Sequence, residues 1–487
     1  MLNRFAVLSV LLALAACGDA PQPPATAATS QDVASQDVAS EAVAARMASG
    51  GPRTSLWSLN RDGVSLTMRA GGGALNDPDD LFFQSLGSNG RSCHTCHEPQ
   101  TGMTLSPERA RLRLAETRGM DPLFRTNDGS VSPLADVSTL GARRRAYALL
   151  LDRGLIRVGI GIPSGNTQFE LVAVRDPYGY ASAAELSLFR RPLPAANLRF
   201  LSTVMWDGRE TFKDPTQPNG FATIHFDLAD QANGATTGHA QGQPISQEQR
   251  DAIVAYEMQV FTAQQFDFQA GMLDAAGARG GPAPLVDQEY YFGINDPLGA
   301  DPEGFNPVAM TAFEAWNGSR GGGQGRARAA IARGEKIFDT HPISITGVSG
   351  LNDDLGQPTI AGTCTTCHDT PNSGNHSVPA PLAIGTAEVN PVGGLDVSGL
   401  PVYTLRNLST GETVQVTDPG RALITGQWKD IGRFKGPILR GLASRAPYFH
   451  NGSARTLRDV VRFYDTRFGM QLTQQEKSDL EAFLAAL

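Results

Sequence analysis

The sequence predicts a mainly α chain of two domains with long loops, behind a short apolar leader and a flexible tether. Three observations predict it. First, Cys93-His94-Thr95-Cys96-His97 and Cys364-Thr365-Thr366-Cys367-His368 use four of the five cysteines. A C-x-x-C-H run sets two thiols one helical turn apart, each placed to form a thioether to a haem vinyl group, with the next imidazole turned toward the iron. Two such runs predict two covalently bound c-type haems in two cytochrome c-like domains, with His97 and His368 as proximal ligands and His94 facing solvent. Second, Gly (53) and Pro (31) are plentiful while aromatic residues make up 7%, which suits helices and loops wrapped around large prosthetic groups. Third, the chain beyond the tether is long enough for two or three domains. A dithiol redox pair asks for no histidine after its second cysteine, and a four-cysteine zinc site needs the two pairs to converge.

Residues 1–17 read as a leader. Arg4 precedes an apolar run that closes on Leu14-Ala15-Ala16-Cys17, a small-residue cleavage site. The stretch is similar to a bacterial lipoprotein signal, with Cys17 as the lipidated N-terminus; the other reading is an ordinary cleaved signal in which Cys17 is incidental. Both lead to the periplasm, where bacteria attach haem, and Gly18 favours anchoring at the outer membrane by lipid alone. Residues 18–55 are rich in Ala, Ser, Gln and Pro, carry the repeat Ser30-Gln-Asp-Val-Ala and Ser35-Gln-Asp-Val-Ala, and read as a flexible linker. The net charge of −8 offers no footprint for nucleic acid.

An N-terminal haem domain is expected over 56–325 and a C-terminal cytochrome c domain over 326–487. The glycine-rich run 321–325 reads as the linker, Arg333-Gly334-Glu335-Lys336-Ile337-Phe338 as part of an opening helix, and 340–362 as a loop before Cys364. Thr473-Gln-Gln-Glu476 is a capping box that opens a closing helix with Leu480, Phe483, Leu484 and Leu487 on one face.

Phe434-Lys-Gly-Pro-Ile-Leu-Arg-Gly-Leu-Ala-Ser-Arg-Ala-Pro-Tyr-Phe-His450-Asn-Gly-Ser, with Thr456-Leu-Arg-Asp-Val-Val-Arg-Phe-Tyr464 after it, resembles the bacterial dihaem cytochrome c peroxidase and MauG family. Trp206-Asp-Gly-Arg209 matches a segment of that family's first domain. The resemblance is dense from about 325 to 487 and patchier from about 75 to 325. It implies that the His97 haem reacts with hydrogen peroxide and that the His368 haem relays electrons from a small donor cytochrome. In the MauG manner, shared high-valent haem states would instead act on a protein substrate. The second axial ligand of the relay haem is a methionine in the peroxidases and a tyrosine in MauG-type proteins. Its expected position is Tyr464, with Met470 as the sulfur alternative; a phenolate favours oxidised iron more than a thioether does. His450 is expected to hydrogen-bond near this haem.

Peroxide cleavage needs an open position on iron and a general acid/base above it. The family's L-x-E-Q-A helix is matched here only by Leu228-Ala-Asp230-Gln231-Ala232, which makes Asp230 the expected acid/base and Asp214 its competitor. His225 and His239 flank that string as a sixth ligand, as aids to peroxide binding, or as structural histidines. The resemblance implies a calcium between the domains on the carbonyls of Arg445 and Pro447, but its asparagine position falls at Arg191. It also implies a tryptophan stepping stone between the haems; Trp206, Trp316 and Trp428 are available and nothing in the sequence chooses. The surplus chain within 235–325 is expected to shape a partner or substrate surface. Three function classes follow: a peroxide-using oxidoreductase, which is the expected one, a non-catalytic periplasmic electron-transfer dihaem cytochrome, and an O2-using oxygenase.

Overall fold

Local chemistry sets the helix ends in the computed structural model, which describes residues 54–211, 224–299 and 301–487. The leader with Cys17, nearly all of the tether, and Asp214 lie outside the described residues. Helix α1 (Pro107–Thr117) begins at Ser106, whose side chain accepts from Arg109 N, and stops where Arg118 turns left-handed at φ 56°. The short α2 (Leu140–Ala146) and α3 (Ala148–Arg153) follow. Helix α4 (Ile224–Gly238) packs on α5 (Gln247–Glu257), which a Ser246/Gln249 capping box opens. In the second half lie α6 (Gly322–Thr340), α7 (Leu457–Phe468) and α8 (Gln474–Ala486); Thr456 with Asp459, and Thr473 with Glu476, cap the last two. Leu480, Phe483, Leu484 and Leu487 are all buried, as the 3.6-residue spacing requires of one apolar stripe.

Three expectations change. Residues 322–325 are the first turn of α6 rather than a linker, because the rest of that helix is held against α8. The stretch 340–362 carries a hairpin, β8 (Ile343–Thr346) on β9 (Thr359–Gly362). The mainly α class gives way to a mixed one, with eleven strands in four sheets among the described residues. Three of the seven strand pairings join strands that are not consecutive in the chain, and no local helical period reveals them. Strands β1 (Ser55–Leu59), β2 (Gly63–Arg69), β6 (Val260–Asp267) and β7 (Gly271–Met272) form an antiparallel sheet in that order. Strand β3 (Ile156–Ile160) pairs with β5 (Leu186–Arg190).

Two features tie the halves together. Strand β4 (Phe169–Arg175) pairs with β10 (Val402–Asn407), which pairs in turn with β11 (Thr413–Val416). The Leu487 carbonyl accepts from both Gln264 N and Gly441 N. The apolar core around the second haem motif contains Ala270, Leu273, Phe313 and Trp316 beside Ile331, Phe338 and Phe483, so packing does not divide at 325. No helix among the described residues is long and apolar enough to cross a membrane.

Candidate functional site

The two C-x-x-C-H motifs are built alike. Each is a 3-10 turn closed by a threonine: Ser92 N donates to Thr95 Oγ1 at 3.0 Å, and Thr363 N donates to Thr366 Oγ1 at 2.9 Å. His97 Nδ1–H donates to Met103 O at 3.1 Å, and His368 Nδ1–H donates to Gly374 O at 2.5 Å. Both acceptors sit at positive φ, 58° and 72°. With Nδ1 committed, Nε2 is the nitrogen left to ligate a metal. Burial pushes both imidazoles down to about 4, so both are neutral, as a ligand must be.

Each motif opens on its own cavity. The first encloses ≈ 1500 Å³, part of it open to solvent, and is lined by Cys93, Cys96 and His97. The second encloses ≈ 1450 Å³ around Cys364, Cys367 and His368. Two buried polar atoms without partners, Glu257 Oε2 and His450 Nε2, belong to residues that line them. Thiol pairs, a neutral imidazole, large apolar walls and orphaned polar atoms all fit a c-type haem in each cavity.

In the first cavity, α4 supplies Leu228, Gln231, Ala232, Ala235 and Thr236, and its end supplies His239. These positions form one helical stripe. Asp230 is two residues from Leu228, about 200° around the helix, and does not line the cavity. Its side chain is 41% exposed and lies 3.9 Å from Arg250. His225 is likewise outside the lining and pairs with Asp251 at 2.9 Å. His239 Nδ1–H donates to Asp128 Oδ2 at 2.5 Å, and Arg91 pairs with the other Asp128 oxygen. Burial pushes the Asp128 carboxyl up, but the His239 hydrogen bond and the Arg91 guanidinium outweigh it and leave it below the ordinary carboxylate value. Glu257 closes α5 on the cavity wall, buried at 6% exposure; burial, with the Asp80 field second, pushes it up to about 8. The spacing of the α4 stripe was readable in the sequence. Asp128 and Glu257 carried no local signal, being remote in sequence from the motif they serve. His94 is half-buried against Phe83, ring centroids 5.0 Å apart, rather than facing solvent.

In the second cavity, Tyr464 and Met470 both reach the lining. Burial first, then the nearby Cys367 and Cys364, raise the Tyr464 hydroxyl above the ordinary tyrosine value. Met470 follows α7 and is buried in the core. His450 is buried, stacks on Phe434 at 3.9 Å, and is held neutral by burial at about 4. His376 also lines this cavity; its Nδ1–H donates to Asp369 Oδ2 at 2.9 Å. Of the three candidate tryptophans, only Trp206 lines both cavities. Trp316 is buried in the core, and Trp428 packs beside Phe169 and Tyr403.

The Arg445 carbonyl, where the resemblance implies a calcium, accepts from Arg191 Nη2 at 3.3 Å. Arg191 Nη1 donates to the carbonyls of Arg153 and Gly154 at 2.9 and 3.2 Å. A guanidinium therefore sits among these carbonyls.

No family model matches the chain. The cytochrome-c peroxidase IdrP1 of Pseudomonas sp. (strain SCT) is 41% identical over 81 residues, covering 14% of this chain and 21% of that protein. IdrP2 of Denitromonas iodatirespirans is 32% identical over 141 residues, covering 26% and 36%. The cytochrome c peroxidase Ccp of Escherichia coli (strain K12) is 35% identical over 88 residues, covering 18% and 19%. The chain thus spans between a fifth and about a third of the length of these relatives. Among solved structures, a MauG-like protein associated with microbial copper homeostasis aligns with 84% of this chain and 86% of its own at 16% identity, with a TM-score of 0.35.

Proposed function

We propose, on the premise that this chain belongs to the dihaem cytochrome c peroxidase and MauG family, that it reduces hydrogen peroxide at the first cavity with electrons relayed through the second. Cys93, Cys96 and His97 would hold one c-type haem; Cys364, Cys367 and His368 would hold the other. When bound, the first haem supplies the open coordination position and electrons for O–O cleavage.

The observation that carries the reading is His239, on the wall of the His97 cavity and tied at Nδ1 to a buried carboxylate. Its Nε2 is then the free base. It takes the proton of bound peroxide and returns it to the departing oxygen, which leaves as water. Asp128, ionised beside Arg91, fixes the tautomer and stabilises the imidazolium while it lasts. Reducing H2O2 to two waters consumes two electrons and two protons besides the one His239 relays, and solvent supplies one of the two. Glu257, protonated at neutral pH, is the second proton source on the same wall.

At the second haem we favour Tyr464 as axial ligand over Met470: both line that cavity, and the family resemblance puts the ligand position at Tyr464. His450 then lies beside that haem as a neutral hydrogen-bonding group, and Trp206 bridges the two cavities as the electron path. The donor is a small cytochrome, or a protein target takes its place. The working location is the periplasm with a lipid tether through Cys17, a reading that rests on residues 1–17 and on the compartment where haem is attached.

Stopped-flow absorbance of the haem-loaded oxidised protein against stoichiometric H2O2 tests the reading. A rapid spectral change is expected, slowed roughly 10²–10⁴-fold in His239→Gln with both haems retained. An unchanged rate in the variant would remove His239 from the chemistry. Inertness of the wild type, both fully oxidised and half reduced, would leave electron transfer as the function.

A further inference from the structure

Lys435 belongs to the Phe434-Lys-Gly-Pro motif and has no part in the chemistry above. Among the described residues, only Lys435 and Trp206 line both cavities. The side chain is buried, with the residue 6% exposed. Its Nζ donates to the Thr203 carbonyl at 2.8 Å, and its backbone N donates to the Trp206 carbonyl at 2.9 Å. An ammonium has three N–H donors, so two are uncommitted among the described residues. The charge nearest in effect is another cation, the Arg445 guanidinium. Arg190, also on the first cavity wall, already has Asp207 and Asp418 as partners. Among the described residues no carboxylate pairs with it, and a buried ammonium without a counter-charge is costly, so the groups that fill the two cavities are the natural source of its anion.

Every haem carries two propionate carboxylates on one edge. We propose that Lys435 is a counter-ion shared by the propionates of both haems, holding their edges on either side of Trp206 and raising both reduction potentials. The proposal rests on the reading that each cavity takes a haem. Burial, with Arg445 second, pushes the amine down to about 7 within the protein's own groups; an adjacent carboxylate reverses that balance and keeps the lysine charged. A cation beside a haem edge favours the reduced iron because reduction adds negative charge nearby. One residue on both walls acts on both irons together.

Spectroelectrochemical titration of the holoprotein tests this, after haem has been counted by alkaline pyridine spectra. Lys435→Gln is expected to keep two haems and to weaken the reduction equilibrium of each by about tenfold, ~59 mV for one electron. Lys435→Arg, which keeps the charge, is expected to stay within about threefold of wild type. Movement of one potential alone, of neither, or equal movement in the arginine variant would overturn the shared counter-ion. Should the glutamine variant fail to fold, Lys435→Met against Lys435→Arg makes the same comparison. A wild-type protein with fewer than two haems would overturn the two-cavity reading beneath the proposal, and the haem count separates that failure before any potential is read.

Discussion

His239 and Asp230 lie nine residues apart in one segment, yet only His239 lines the first cavity. The string Leu228-Ala-Asp230-Gln231-Ala232 falls on the helix that lines the first cavity, but a motif match carries no face, whereas the 3.6-residue stripe from Leu228 to Thr236 does. Asp230→Asn is therefore expected to leave the rate of reaction with peroxide unchanged, measured beside His239→Gln. Asp128→Asn should lower that rate by roughly 10–100-fold by loosening the imidazole, with His239 still in place and both haems attached. At the second haem, Tyr464→Phe should change the resting absorption and electron paramagnetic resonance spectra, while Met470→Leu should leave them as in wild type; the reverse result would make Met470 the ligand.

Secondary elements here carry charges as well as apolar faces. Glu335, buried within α6, accepts Phe313 N on both oxygens at 2.9 and 3.1 Å, yet burial outweighs those bonds and pushes it up to about 8. A carboxyl raised in the folded state contributes stability below its unfolded pKa and loses that contribution as pH climbs through the folded value. Melting temperature should accordingly fall between about pH 4.5 and 8, and Glu335→Gln should flatten that fall; an equally steep fall in the variant would place the loss elsewhere. The capping boxes at Thr456 and Thr473 and the buried stripe of α8 follow from neighbours in the chain, and the sequence signals them. The hairpin β8–β9 and the inter-half ladder β4–β10 depend on partners outside any local window, which is why a mainly α reading missed them.

Across the whole molecule, the two halves are joined by shared strands, a shared core and the Arg191 guanidinium, which bridges the 153–154 carbonyls to that of Arg445. That arrangement predicts a junction indifferent to chelators. Treating the holoprotein with EGTA should leave its melting temperature unchanged. Arg191→Ala, which strips three carbonyls of their donor, should cost about 3 kcal/mol in denaturant unfolding. A large shift on chelation, reversed by added calcium, would place a metal at this junction after all.

The sequence by itself determined the two C-x-x-C-H motifs with their buried histidines and the helix caps, because each is written within a few consecutive residues whose chemistry is local. The tertiary structure alone decided that Asp128 steadies His239, that Glu257 stands protonated on the same wall, and that Trp206 and Lys435 divide the two cavities. Those assignments depend on burial and on contacts between remote stretches of chain, and neither has a period or a spacing that a linear sequence displays.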